Sequence, residues 1–368
     1  MKKCNIRTVG IGLIVLLWFA LVGFAWFSPA KEESWAERRK LNQMPKLTVE
    51  SIFDGSFMQK FDKASVDQFP LRDTFRQTKA LFHRYVLAQR DNNEIYYTDG
   101  HFSKLDYPVD TASVSRATGI FNRIYKQYLE KTNCKVYMAA IPDKGYYLGA
   151  QNGFPVMDYE EMFALLQQQM PWATHIDLTD TLTLDSFYLT DTHWRQEKLL
   201  PVAEKLSQAL GVTAPKAEDY TLRTLPETFY GVYYGQAALP VASEKITLLE
   251  SELLKNCKVY NYETQQYTSV YDEAKRQGKD LYEVYLSGPQ SILTIENPNA
   301  ATDRELVIFR DSFGSSITPL LVQDYAKVTL VDVRYVPSMM LGRYLTIENA
   351  DVLFLYSTMV LNDSTTLK

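Results

Sequence analysis

Glu305-Leu-Val-Ile-Phe309, running into Arg310-Asp-Ser-Phe-Gly-Ser-Ser316, is the stretch on which the fold turns. Its apolar run is continuous rather than alternating, which is how a strand covered on both faces reads. A short polar turn follows, and Ser315 to Tyr325 is expected to be helical. Lys327-Val-Thr-Leu-Val331 and Asp351-Val-Leu-Phe-Leu-Tyr356 repeat the strand signal downstream. Upstream, Val136-Tyr-Met-Ala-Ala-Ile141 does the same and is ended by Pro142-Asp-Lys-Gly145. Between these runs the period changes to that of a helix. Val114, Ala117, Ile120, Phe121, Ile124, Tyr128 and Leu129 make one apolar stripe within residues 111–131. Further helices are predicted over 159–170 and over 197–210, the latter stopped by Gly211, with Pro201 tolerable in its first turn. Strands alternating with helices imply an α/β fold whose mainly parallel sheet is flanked by helices.

Working outward, residues 225–300 change character: short β-like runs alternate with polar, Tyr-rich turns. They read as a β-rich insertion or lid between two parts of one α/β domain, 71–224 and 301–368. Within the first part, Leu71 to Arg90 reads as helical, with Leu71, Phe75, Phe82 and Val86 on one face at steps of four and seven. Residues 31–70 are polar, of mixed charge and interrupted by Pro45 and Pro70, and read as a stalk and lead-in. Before them, Thr8 to Phe27 holds no charged side chain. At about 1.5 Å per residue that length spans the roughly 30 Å hydrocarbon core of a bilayer. Lys2, Lys3 and Arg7 precede it, and Lys31 is followed at once by Glu32 and Glu33. The charge bias leaves the N-terminus in the cytoplasm and the rest outside, so residues 1–30 read as a cytoplasmic tip and a single transmembrane anchor. A cleaved signal peptide is the rival, but the apolar run exceeds the usual length of about 7–15 residues. Cys4 sits where S-acylation occurs in other anchored chains.

The net charge is −5 and the 39 Lys and Arg are scattered, which argues against a nucleic-acid partner. Three cysteines make no disulfide framework. Cys134 and Cys257 either pair outside the cell or remain buried thiols. No spacing of His, Cys, Asp or Glu suits a metal, and nothing calls for a cofactor. The 25 tyrosines serve either packing or a sugar-facing surface.

In an open parallel sheet the site forms beyond the carboxyl ends of the strands. Ser312 sits there, between a buried strand and a helix start. Its Oγ would be exposed and the N–H groups of Ser312 and its neighbours, Gly314 among them, would suit an oxyanion. The plain alternative is a helix cap. Choosing between them needs a base. Four histidines exist. His83 suits a helix, His101 a solvated loop and His175 a short strand. His193 differs because Leu189-Thr-Asp-Thr-His-Trp194 places Asp191 two residues before it. Asp191 can take the Nδ1 proton and hold the tautomer in which Nε2 accepts a proton from Ser312. Lys144 and Arg310, near strand ends, either support an oxyanion or an anionic glycan or are solvated or ion-paired. Tyr146, Tyr147 and Trp194 either line a sugar groove or pack.

Asp191-Thr-His-Trp194 resembles the signature of the DHHW family of bacterial surface proteins, with Thr192 where the name-giving motif has His. The order D-x-H, then a nucleophile segment more than a hundred residues later, resembles the alginate O-acetyltransferase branch of SGNH-hydrolase-like proteins. Ile141-Pro-Asp-Lys144, Asp280-Leu-Tyr-Glu-Val-Tyr-Leu-Ser-Gly288 and Val331-Asp-Val-Arg-Tyr335 extend the likeness over most of the chain after the anchor. The motif order is reversed relative to ordinary SGNH hydrolases, and their oxyanion Gly and Asn blocks have no clear counterpart. The resemblance implies Ser312 as nucleophile, His193 as general base and acid, and Asp191 as orienter. It also implies O-acetylation of a cell-surface polysaccharide, with a multi-pass membrane acyltransferase as partner. A carbohydrate acetylesterase would use the same triad, and a non-catalytic envelope scaffold would keep only the fold.

Overall fold

The computed structural model describes residues 6–368. Lys2, Lys3 and Cys4, which entered the topology and acylation readings, lie outside the described residues. The chain divides into two compact units. One runs to Asn93 and takes in Tyr234–Val241; the other comprises Glu94–Tyr233 and Ala242–Lys368.

The first unit begins with α1 (Ile6–Phe27), of which Val9–Phe27 is long and apolar enough to cross a membrane. A two-stranded ribbon follows, Glu33–Ser34 against Arg39–Lys40. Then come α2 (Val49–Phe53), α3 (Ser56–Asp67) and α4 (Arg72–Tyr85). Thr48 and Ser51 form a capping box that starts α2. Buried Asp67 ties the ribbon to α3. It accepts both Arg39 guanidinium nitrogens, at 2.9 and 2.6 Å, and the Asn42 main-chain and side-chain N–H groups. The Arg39 bonds hold its carboxyl well below the usual range. The stripe Leu71, Phe75, Phe82 and Val86 lies on one face of α4 as expected, but it is not buried: the four are 61%, 48%, 50% and 65% exposed. Only Ala80 of α4 is buried, and within the stripe Phe75 packs edge-on to Phe69 at 5.5 Å.

The second unit is built on an eight-stranded sheet. Its strands are β1 (Lys135–Ile141), β2 (Thr174–His175), β3 (Lys258–Asn261), β4 (Gln266–Thr268), β5 (Ile292–Glu296), β6 (Glu305–Arg310), β7 (Lys327–Val331) and β8 (Asp351–Ser357). Their order is β4-β3-β5-β7-β6-β8-β1-β2. From β7 to β2 every pairing is parallel; β5, β3 and β4 pair antiparallel, each with its neighbour. Residues 225–300 therefore contribute three strands to the same sheet.

Alternation along the central strands feeds two cores. Ala139, Ile141, Leu306, Ile308, Leu353 and Leu355 face one layer, where α8 (Leu200–Leu210) supplies Val202, Ala203 and Leu206. Val136, Met138, Val307, Phe309, Val352 and Phe354 face the other, covered by α5 (Thr111–Ile124) and α7 (Tyr159–Gln169) through Phe121, Met162 and Leu166. Each fully buried side chain of this kind contributes about 1.5–3 kcal/mol. Pro201 sits in the first turn of α8, and Gly211 ends it at φ 66°. The expected helix over 111–131 closes in a π-turn, Tyr125–Leu129. Cys134 and Cys257 are both free.

Candidate active site

β6, β8 and β1 are neighbours, and their carboxyl ends are stitched together. Asp311, just past β6, accepts the Ser357 N–H at the end of β8 (2.8 Å). Thr358 donates to Asp143, just past β1, and accepts its N–H. Asp143 also receives the Tyr159 hydroxyl (2.5 Å) and the Gly145 N–H. Burial nonetheless pushes the Asp143 carboxyl up. Ser312 is carried on the turn after Asp311 and is partly exposed.

Asp191 and His193 come from a tight loop. Phe187 pairs antiparallel with Trp194, Tyr188 N–H bonds the His193 carbonyl, and Arg195 N–H bonds that of Ser186. At the loop tip Asp191 Oδ1 lies 2.5 Å from His193 Nδ1 and also accepts the His193 main-chain N–H. Its Oδ2 accepts the Val232 N–H at 2.8 Å. His193 Nε2 is 2.8 Å from Ser312 Oγ. Asp191 is fully buried, so the pair is shielded from water, which strengthens it. The imidazole stacks on Tyr282 at 4.0 Å between centroids, 12° from parallel, and leans on Phe313. Ring plane, tautomer and distance to the hydroxyl are thus each held by a separate contact.

Beneath the ring, Ser316 is a hub. Its Oγ accepts Trp194 Nε1 (2.8 Å) and bonds the Tyr282 hydroxyl (2.7 Å), while its carbonyl accepts Gln196 Nε2. Trp194 is therefore a buried brace and lines no groove.

Other expected site residues are placed differently. Lys144 opens α6 (Lys144–Leu148) and is buried rather than solvated. Its Nζ donates to the carbonyls of Tyr188 (3.0 Å) and Leu189 (3.4 Å), at the base of the loop, and lies 5.1 Å from the Tyr233 ring centre. Burial pushes it down to about 7, against the attraction of Asp191, Glu244 and Asp143. Arg310 is buried too, with Nη1 3.7 Å from Asp332 and bonded to the Asp311 carbonyl; Nε and Nη2 have no acceptor among the described residues. Gly314 provides close approach rather than an oxyanion donor. A Cβ there would meet Arg310 Cβ at 2.7 Å, and its N–H is taken by the Asp311 carbonyl. Phe313 N–H goes to Asp311 Oδ1 and Ser315 N–H to the Ser312 carbonyl. The turn closes on itself, and of these donors Ser312 N–H alone has no acceptor among the described residues. The helix after it, α9 (Gly314–Ile317), passes at once into a 3-10 turn, Thr318–Leu321, shorter than the expected 315–325. Tyr146 is exposed and packs edge-on to Tyr147 and Tyr159. It lines a cavity of about 230 Å³ with Phe163, Gln167 and His175. His101 is buried in a strand, its Nδ1 on the Asp99 carbonyl, instead of lying in a solvated loop.

The residues missed by sequence reasoning hold the loop from outside. Glu244 Oε2 accepts Leu189 N–H (2.8 Å), and Oε1 accepts both the N–H and hydroxyl of Thr190 (2.7 and 2.5 Å). Thr190 Oγ1 in turn accepts Gly231 N–H. A Cβ on Gly231 would overlap the Asp191 main chain. Nothing local marks Glu244, which lies far along the chain from what it clamps. Tyr282 lies within a quoted motif but has no spacing that points to a histidine.

No family model and no curated protein sequence matches the chain. Solved structures match its shape. A DHHW family protein from Eubacterium siraeum superposes with TM-score 0.59 at 19% identity, over 76% of this chain and 97% of that one. Bacillus cereus PatB1 superposes with TM-score 0.60 at 19% identity, over 73% and 96%. The same protein with a sulfonyl adduct gives 0.57 at 17%, over 73% and 97%. The α/β class with a mainly parallel sheet and the likeness to a DHHW protein both hold at the level of fold.

Proposed function

We propose that Ser312, His193 and Asp191 are the nucleophile, the general base and acid, and the orienter of an acyl transfer onto a cell-surface polysaccharide. The observation that carries this reading is the unbroken relay from Asp191 Oδ1 to His193 Nδ1 and from Nε2 to Ser312 Oγ, at 2.5 and 2.8 Å. A helix cap needs no such relay, and neither does a scaffold.

The chemistry follows. His193 Nε2 takes the Ser312 proton as Oγ attacks the acyl carbonyl of the donor. The Ser312 N–H faces the developing oxyanion. Collapse breaks the bond to the donor's leaving group, which receives the proton from His193. A sugar hydroxyl then gives its proton to His193 and attacks the acyl-Ser312 ester, and the proton returns to Ser312 as the new ester departs. Water in place of the sugar makes the same site an esterase. Asp191 stays ionised throughout and stabilises the imidazolium.

The polysaccharide acceptor and a multi-pass acyltransferase that supplies the donor rest on the resemblance in sequence. In this reading α1 is an uncleaved span, with the N-terminus cytoplasmic and the site outside. The test uses a serine-reactive sulfonyl fluoride or fluorophosphonate, a choice suggested by the PatB1 adduct. Wild-type protein gains one adduct on Ser312, and Ser312→Ala gains none and loses about 10⁴-fold or more in acyl-ester turnover. Labelling that does not depend on Ser312 overturns the assignment. Acetate release that is unchanged by glycan, with no acetylated glycan formed, replaces the transferase by the esterase.

A further inference from the structure

Three successive helices of the first unit expose apolar faces. On α2, Val49, Ile52 and Phe53 share one face at steps of three and four, and all are exposed. On α3, Met58 and Phe61 do the same, with Phe57 stacked on Phe61 at 5.8 Å. On α4 the stripe Leu71, Phe75, Phe82, Val86 is exposed along its length. Isolated exposed apolar residues need no explanation; exposed apolar faces on three successive helices do.

We propose that these faces lie in the headgroup layer of a lipid bilayer, on the side where α1 ends at Phe27. The inference rests on α1 being a membrane span, and it is independent of the acyl-transfer reading. Three observations choose lipid over a protein partner. First, α2–α4 are tethered to α1, so their contact with lipid is intramolecular and modest apolar faces suffice. Second, the charge fits. The chain carries −5, yet residues 31–93 hold twelve Lys and Arg against nine Asp and Glu. A groove of about 570 Å³ joins apolar Val66, Phe69 and Phe75 to the ammonium of Lys79 and to Arg76, which also pairs with Glu37 at 3.3 Å. An acyl chain beside an anionic headgroup matches that pairing. Third, the exposed aromatic side chains include Trp35 and Tyr85, whose amphipathic rings favour the interface.

The test uses the full chain in vesicles of phosphatidylglycerol and phosphatidylethanolamine, with phosphatidylcholine vesicles for comparison. Cys4 and Cys134 are replaced by Ser; Cys257 is buried, its thiol pushed up to about 11, and stays unlabelled. A polarity-sensitive fluorophore is placed singly at Phe53→Cys, Phe82→Cys and Val86→Cys, and at Tyr267→Cys, an exposed site in the other unit. The three helix sites are expected to blue-shift and to be quenched several-fold more by lipid-borne nitroxide than position 267, most in the anionic vesicles. Quenching by aqueous iodide at all four sites overturns the proposal. A blue shift without lipid quenching means that protein covers the faces and overturns it as well. Failure of the full chain to float with vesicles removes the span and the proposal together, whereas loss of Ser312 labelling leaves it standing.

Discussion

At the scale of the residue, the triad's distances matter less than the way each member is satisfied. Asp191 accepts three N–H donors, two from His193 and one from Val232. Its side chain is thereby held in one rotamer. Lys144 is the opposite case, a buried ammonium whose acceptors at 3.0 and 3.4 Å are carbonyls. Its folded-state value, about 7, lies below its ordinary value of 10.5. Below pH 7 both folded and unfolded chains bind the proton, and the folded state bears the full cost of burying it. Between pH 7 and 10.5 the unfolded chain holds more protons, so this group makes stability rise with pH. Lys144→Met is therefore expected to flatten that rise, by an amount on the order of a few kcal/mol across the window. Urea midpoints of the two proteins at pH 7 and pH 10 check this; parallel pH profiles reject it. The identities of Ser312, His193 and Asp191 were legible because D-x-H and a strand-to-turn Ser carry local logic. The burial of Lys144, Arg310 and Trp194 was not, because it depends on segments far away in the chain.

At the scale of the element, the site is a loop held against a turn. The loop 188–193 is closed by main-chain bonds, but its position depends on Glu244, which accepts three of its donors. Glu244→Ala leaves those donors without acceptors and costs about 1–3 kcal/mol of stability. On the proposed acyl-transfer mechanism it is expected to lower kcat about 10–100-fold with a smaller change in KM, because displacing His193 impairs the chemical step more than binding. Glu244→Gln, which keeps an acceptor oxygen, should recover part of the loss. Equal kinetics for wild type and Glu244→Ala would show that the loop stands unaided. The central strands were readable as continuous apolar runs because they are covered on both faces. The antiparallel strands β3, β4 and β5 were readable only as β-like, since pairing partners are not written in a single segment. α4 shows the limit of periodicity: a 3.6-residue stripe demands a partner but does not say whether that partner is protein.

At the scale of the whole molecule, α1 and the lead-in differ from the sheet unit in what they need for burial. Most apolar residues of α1 are exposed, and none of its Val9–Phe27 stretch is buried against the rest of the chain. The full chain is expected to remain in the membrane fraction after carbonate at pH 11; quantitative release into the supernatant would mean that the helix is removed or lies on the surface. Taken alone, the sequence determined the α/β class, an apolar run long enough to span a membrane and the Asp191-Thr-His193 spacing. Each of these follows from a period, a length or a short spacing, which local chemistry imposes. Tertiary structure decided which N–H of the Ser312 turn stays unpaired, what clamps the Asp191 loop and which apolar stripe lacks a core. Those outcomes depend on contacts between segments tens to hundreds of residues apart, such as Glu244 with Thr190 and Trp194 with Ser316. No local pattern encodes them, because many distant residues can supply the same acceptor and only the fold selects one.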